Sequence, residues 1–141
     1  MKREQVKLIF LMIIIAVMLP LLNRVLKESN NMPFISLKAE DVESIDLYLQ
    51  PPDKKIIVNN TEKIQDIVRE LNKLIIKKEE SPRIDYNVQL VSYTINKNNK
   101  KNYEIKIYSP YIVIDGEIFK ADYEICDVLN LLGNDLIENS K

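Results

Sequence analysis

The chain has 141 residues, with 20 Lys and Arg against 21 Asp and Glu, for a formal net charge of −1. It contains no histidine, so the commonest general base and the commonest metal ligand are both missing. A single cysteine excludes an internal disulfide, and two glycines leave no glycine-rich phosphate loop.

A short basic lead opens the chain. Fifteen residues without a charge follow, Leu8 to Leu22 (LIFLMIIIAVMLPLL). A helix rises about 1.5 Å per residue and the hydrocarbon core is about 30 Å thick, so a span needs about 20 apolar residues. The register extends to Val6 on one side and to Val25 and Leu26 on the other, which is long enough. Lys7, Asn23 and Arg24 stand where long or polar side chains reach the headgroups. The residues expected to be transmembrane are Leu8, Ile9, Phe10, Leu11, Ile13, Ile14, Ile15, Val17, Leu19 and Leu22. The eleven Leu, Ile, Phe and Val side chains between Leu8 and Leu22 favour insertion by roughly 3 to 6 kcal/mol. Pro20 falls near the last turn, where a kink exposes little backbone.

A cleaved signal peptide shares the basic lead but needs a small-residue cleavage site, and PLLNRVLKESNN after Leu19 offers none. A lipoprotein needs a Cys just after the apolar run, and the one Cys is Cys126. A buried core helix normally keeps a polar stripe, which this segment lacks. The expectation is an uncleaved single-pass anchor, with an atypical cleaved signal as the alternative. Lys2, Arg3 and Lys7 precede the span and Arg24 and Lys27 follow it. That bias places the N-terminus in the cytoplasm and the rest of the chain outside.

Charge divides along the chain. Met1–Lys27 carries five basic residues and one acidic, a net of +4, whereas Glu28–Lys141 carries fifteen and twenty, a net of −5. An acidic domain argues against a nucleic-acid partner. The expected organisation is lead and anchor over 1–27, a polar linker over 28–33 ending in Pro33, and one small domain over 34–141.

Within the domain, Phe34–Leu37 reads as a short strand and Ala39–Glu43 as one helical turn with Val42 inward. Ile45, Leu47 and Leu49 alternate with Asp46 and Tyr48, the period of a half-buried strand. Pro51-Pro52-Asp53 turns the chain into a second strand, Lys54–Asn59. Asn60 or Thr61 caps a helix over Thr61–Ile75. Its Ile64, Ile67, Val68, Leu71, Leu74 and Ile75 make one apolar face, and Lys63, Asp66, Arg69, Glu70 and Lys73 the solvated one. Lys77–Pro82 reads as a loop. Tyr86–Ile95 is strand-like, with an apolar phase shift at Leu90-Val91 that implies a bulge or burial on both faces. Asn96–Asn102 makes a polar hairpin tip before a strand with Tyr103, Ile105 and Ile107. Tyr111–Ile114 and Glu117–Lys120 flank Asp115-Gly116, a type I′ hairpin turn. Asp122 then caps a last helix with Ile125, Val128, Leu129 and Leu132 inward and Gly133 at its C′ position. The order β-β-α-β-β-β-β-α has short connections, which predicts an α+β fold: a mainly antiparallel sheet with two helices on one face.

Few residues carry chemistry. Lys97, Lys100 and Lys101 on the hairpin tip are candidates for contact with an anionic polymer or headgroup, set against a plain solvated turn. Glu40, Asp41 and Glu43 form the densest acidic group, but no calcium-loop pattern accompanies them. Cys126 has no histidine to activate it and reads as structural. Tyr48, Tyr86, Tyr93, Tyr103, Tyr108 and Tyr111 lie in or beside strands, where an exposed subset would form an interaction stripe. No catalytic, cofactor-binding or metal-ligating residue is expected.

The apolar N-terminus, the strand EDVESIDLYL, the helix TEKIQDIVRELN and the double strand IYSPYIVIDGEIFKA resemble small membrane-anchored or lipoprotein-like proteins of low-GC Gram-positive bacteria that carry an extracytoplasmic domain of unknown function. The resemblance covers nearly the whole chain as a pattern, brings no catalytic signature, and departs from the lipoprotein members in lacking the lipid-bearing Cys. It implies location and fold. The functional expectation is a non-catalytic binding or accessory module for a protein or cell-envelope partner. The alternatives are a subunit or regulator of a membrane complex and, third, a carboxylate-based envelope hydrolase, which would need a carboxyl pair across a cleft. The oligomeric state is left open.

Overall fold

The alternation of Ile45, Leu47 and Leu49 becomes strand β1 (Val42–Gln50), with these three side chains buried and Asp46 and Tyr48 on the opposite face. In the computed structural model, which describes residues 3 to 140 (side chains of residues 25 to 30 excepted), β1 is the second strand of a seven-stranded sheet. The chain divides into two compact units, Met1–Asn31 and Met32–Lys141.

The first unit is one helix, α1 (Arg3–Asn31), with Pro20 inside it. The 22 residues Arg3–Arg24 are long and apolar enough to cross a membrane. The helix also runs through Glu28–Asn31, residues expected to belong to a linker. Nothing there breaks a helix before Pro33.

The second unit is α+β. A 3₁₀ turn (Ala39–Asp41) leads into β1, followed by β2 (Lys54–Val58), α2 (Thr61–Asn72), β3 (Ile76–Lys77), β4 (Leu90–Lys97), β5 (Tyr103–Tyr108), β6 (Tyr111–Ile114), β7 (Glu117–Ala121) and α3 (Tyr123–Glu138). The spatial order is β2-β1-β4-β5-β6-β7-β3, and every neighbouring pair is antiparallel. Among the described residues one strand, β3, is additional to those expected. Ile76 pairs with Ala121 and Lys77 with Lys120. A two-residue strand has no periodicity to read, and only its partner defines it.

Both helices lie on one face of the sheet. Ile64, Ile67, Val68 and Leu71 of α2 and Cys126, Leu129, Leu136 and Ile137 of α3 join Leu47, Tyr93, Ile105, Ile107 and Ile112 in a single core. Asn60 caps α2, its Oδ1 accepting from the Lys63 N–H at 3.1 Å. The helix stops at Asn72, short of the expected Ile75. Leu74 is still fully buried, while Ile75 is 44% exposed because the chain straightens there to reach the β7 edge.

Three further expectations need correction. Phe34–Leu37 forms turns, not a strand, with Leu37 N–H donating to the Phe34 carbonyl at 3.0 Å. Its two buried side chains are three residues apart, and the Asn72 amide donates to the carbonyls of both Phe34 and Leu37. The strand expected from Tyr86 begins at Leu90. There Val91, Ser92 and Tyr93 are all buried, so the phase shift reflects cover on both faces, and the irregular register lies instead in β1 between Val42 and Ser44. Gly133 stands inside α3, not beyond its end. Asp115 (φ 49°) and Gly116 (φ 87°) do form the expected hairpin turn.

Candidate functional site

The transmembrane candidates come first along the chain. Leu8, Ile9, Phe10, Leu11, Ile13, Ile14, Ile15, Val17, Leu19 and Leu22 are all exposed, from 46% at Ile14 to 67% at Phe10. A helix this apolar has a large hydrophobic surface that its own fold leaves uncovered.

The hairpin tip between β4 and β5 places Lys97, Lys100 and Lys101 in three settings. Lys97 is half-buried, its Nζ 5.2 Å from the Tyr103 ring centroid. Lys101 pairs with Asp115 at 3.7 Å, and Lys100 is exposed. The tip itself is tied down, since Asn98 donates from its backbone N–H to the Asp41 carbonyl (3.0 Å) and from Nδ2 to the Glu40 carbonyl (3.3 Å). The acidic turn and the basic tip therefore share one end of the domain, where their charges oppose each other. Among the described residues, no three His, Cys, Asp or Glu side chains converge as metal ligands would.

Cys126 is buried on the core face of α3, and burial pushes its thiol up to about 11, with Asp127 and Asp122 adding to the effect and Ser109 opposing it. Such a thiol is protonated at neutral pH and unsuited to nucleophilic work.

The tyrosines divide by register. Tyr93 is fully buried, and its hydroxyl donates to the Leu129 carbonyl. Tyr103 packs edge-on against Phe34, with ring centroids 5.4 Å apart. Tyr48, Tyr108 and Tyr111 project from the face without helices. Tyr48 donates to Asp53 Oδ1 at 2.8 Å, and this bond holds its hydroxyl above the usual phenol range. The Tyr111 hydroxyl is raised likewise, first by its bond to Glu79.

Glu79 belongs to a feature absent from the periodicity. After β3 at the sheet edge, residues 78 to 89 return to β4 in the middle of the sheet as an irregular strap. Glu79 reaches Lys120 at 3.9 Å, and Tyr86 stands edge-on to Tyr108 with centroids 5.2 Å apart and planes at 77°. Where the strap meets the ends of β1, β4 and β5 it closes a groove of about 460 Å³, lined by Gln50, Pro51, Tyr86, Asn87, Val88, Leu90 and Tyr108. The groove is held from beneath. Gln89 Nε2 donates to the Pro51 carbonyl at 2.9 Å, and the Gln89 and Asn134 amides bond reciprocally at 3.1 and 2.9 Å. The Asp85 carboxylate accepts from the Asn87 N–H at 2.9 Å, fixing the turn that presents Tyr86, which is 71% exposed. The chain pattern puts Tyr86 at the start of a strand, and nothing along the sequence marks Gln50 or Asn87. The one available signal was Pro51-Pro52-Asp53, which marks a turn but not its neighbour 35 positions on, Tyr86.

Comparison with protein-family models, curated proteins and solved structures gave no match.

Proposed function

We propose that this chain is a membrane-anchored module whose α+β domain lies outside the cytoplasm and acts by association with a protein or cell-envelope partner, without catalysing a reaction. The observation that carries this reading is the helix Arg3–Arg24, apolar and uncovered all round, joined to a separately compact acidic domain. The positive lead before the span supports the orientation. The resemblance to small anchored proteins of low-GC Gram-positive bacteria agrees with it.

Support for association over catalysis comes from side-chain chemistry. The chain has no histidine, its one thiol is buried and protonated, and none of the seven residues around the Tyr86 groove is a carboxylate or a cation. Several acidic groups are engaged in surface pairs, such as Asp46 with Lys55 at 3.1 Å and Glu70 with Lys73 at 3.0 Å.

The test is mild-detergent extraction of the full-length chain from its native membrane, followed by identification of what co-purifies. A reproducible partner is expected, together with tolerance of every single Asp→Asn and Glu→Gln change between residues 32 and 141. Loss of the cellular phenotype through one such isosteric change, in a protein that still folds and reaches the membrane, would refute the non-catalytic reading.

A further inference from the structure

We infer that the groove at Tyr86 is a binding site for an uncharged carbohydrate segment. This inference rests on the association reading and names the class of ligand. Seven residues from three stretches of the chain meet there, and none is Asp, Glu, Lys or Arg. An uncharged lining gives no Coulombic gain to a charged ligand and makes it shed its hydration, so the groove favours a neutral one. Its volume of about 460 Å³ lies within the range of small-ligand sites, about 300 to 1,000 Å³.

The lining combines two kinds of surface. Pro51, Val88, Leu90 and the rings of Tyr86 and Tyr108 are apolar, and the exposed ring of Tyr86 offers an electron-rich face to weakly positive C–H groups, as the apolar side of a pyranose presents. Gln50 and Asn87 add side-chain amides for which no hydrogen bond is found among the described residues, each with donors and an acceptor. Sugar hydroxyls both donate and accept, so they satisfy the NH₂ and the oxygen of each amide. A proline-rich peptide, the other ligand suited to an aromatic groove, brings carbonyls but few N–H groups, so it engages the NH₂ donors and not the oxygens, whereas a sugar engages both. Strand addition is excluded by position, since β1, β4 and β5 are interior strands and the sheet edges are β2 and β3. The Gln89–Asn134 and Gln89–Pro51 bonds hold the groove before any ligand arrives, which limits the ordering entropy of binding.

The experiment uses the full-length chain in lipid nanodiscs, avoiding sugar-based detergents. Chitotetraose, cellotetraose and maltotetraose are titrated and followed by saturation-transfer NMR and calorimetry. At least one should bind. Tyr86→Ala should weaken it about tenfold or more, and Asn87→Ala severalfold. Tyr123→Ala, removing a ring 59% exposed on α3, should leave binding unchanged. No binding of any of the three sugars, or equal binding by Tyr86→Ala, overturns the inference. So does preferential binding of a decaproline peptide that Tyr86→Ala abolishes, which would make the groove a peptide site. If a partner still co-purifies with Tyr86→Ala and no sugar binds the parent, the association reading stands and the carbohydrate assignment alone falls.

Discussion

The Tyr93 hydroxyl oxygen lies 3.0 Å from the point where a Cβ would stand on Gly133, and Val91 Cγ1 lies 2.8 Å from it. Gly133 therefore lets α3 approach the sheet closely, and the Tyr93 hydroxyl lies against it while donating to the Leu129 carbonyl. Gly133→Ala should overpack this crossing at a cost of about 1 to 3 kcal/mol. In a Tyr93→Phe background the cost should fall, because the oxygen that meets the new methyl is gone. A double-mutant cycle by urea denaturation measures this, and additivity of the two changes would refute the contact.

Leu71 is fully buried between α2 and the sheet. Leu71→Ala should destabilise the domain by about 2 to 5 kcal/mol, a large part of the about 5 to 15 kcal/mol available to a small domain. Thermal unfolding checks it, and a melting point within a degree of the parent would count against the packing.

Asn72 holds the domain's entry by donating to the carbonyls of both Phe34 and Leu37. Asn72→Ala should cost about 1 to 3 kcal/mol by leaving the part-buried Leu37 carbonyl unpaired and the Phe34 carbonyl with the Leu37 N–H alone. Amide exchange should accelerate first at Leu37, whose N–H closes the turn onto Phe34. Acceleration spread evenly over the sheet would mean that the bonds do not act locally.

Alkaline pH should weaken the fold. Burial raises the Cys126 thiol from 9.0 to about 11 and raises the Tyr93 hydroxyl above 10.0. In both cases the folded state retains a proton that the unfolded state releases. The associated stability is whole below the unfolded values and is lost as pH rises through the folded ones. Urea midpoints should therefore fall between pH 9 and pH 11. Cys126→Ala should remove the earlier part of that fall, and an unchanged profile in the variant would assign the effect elsewhere.

Ile14 lies near the middle of the apolar helix. Ile14→Arg replaces a residue favouring insertion with one costing about 2.5 to 3.5 kcal/mol. The parent should remain in the membrane pellet after carbonate extraction, and the variant should be released in substantial part. A mature N-terminus beginning after Leu22, found by sequencing the native protein, would replace the anchor with a cleaved signal.

Much of this architecture follows from local pattern. The apolar run from Leu8, the alternation of Ile45, Leu47 and Leu49, the Ile64/Ile67/Val68/Leu71 face and the Asp115-Gly116 turn are each set by side-chain period or backbone conformation within a few residues. Tertiary structure decided everything that depends on a distant partner. β3 exists only because Ala121 and Lys120 pair with it, and Gly133 lies within α3 at a position where Leu47, Val91 and Tyr93 stand close beneath it. Phe34 and Leu37 turn because Asn72 takes both their carbonyls. The groove was illegible for the same reason. Pro51, Tyr86 and Tyr108 carry no joint signal along the chain, and they meet because β3 at the sheet edge obliges the strap to return across the ends of the central strands.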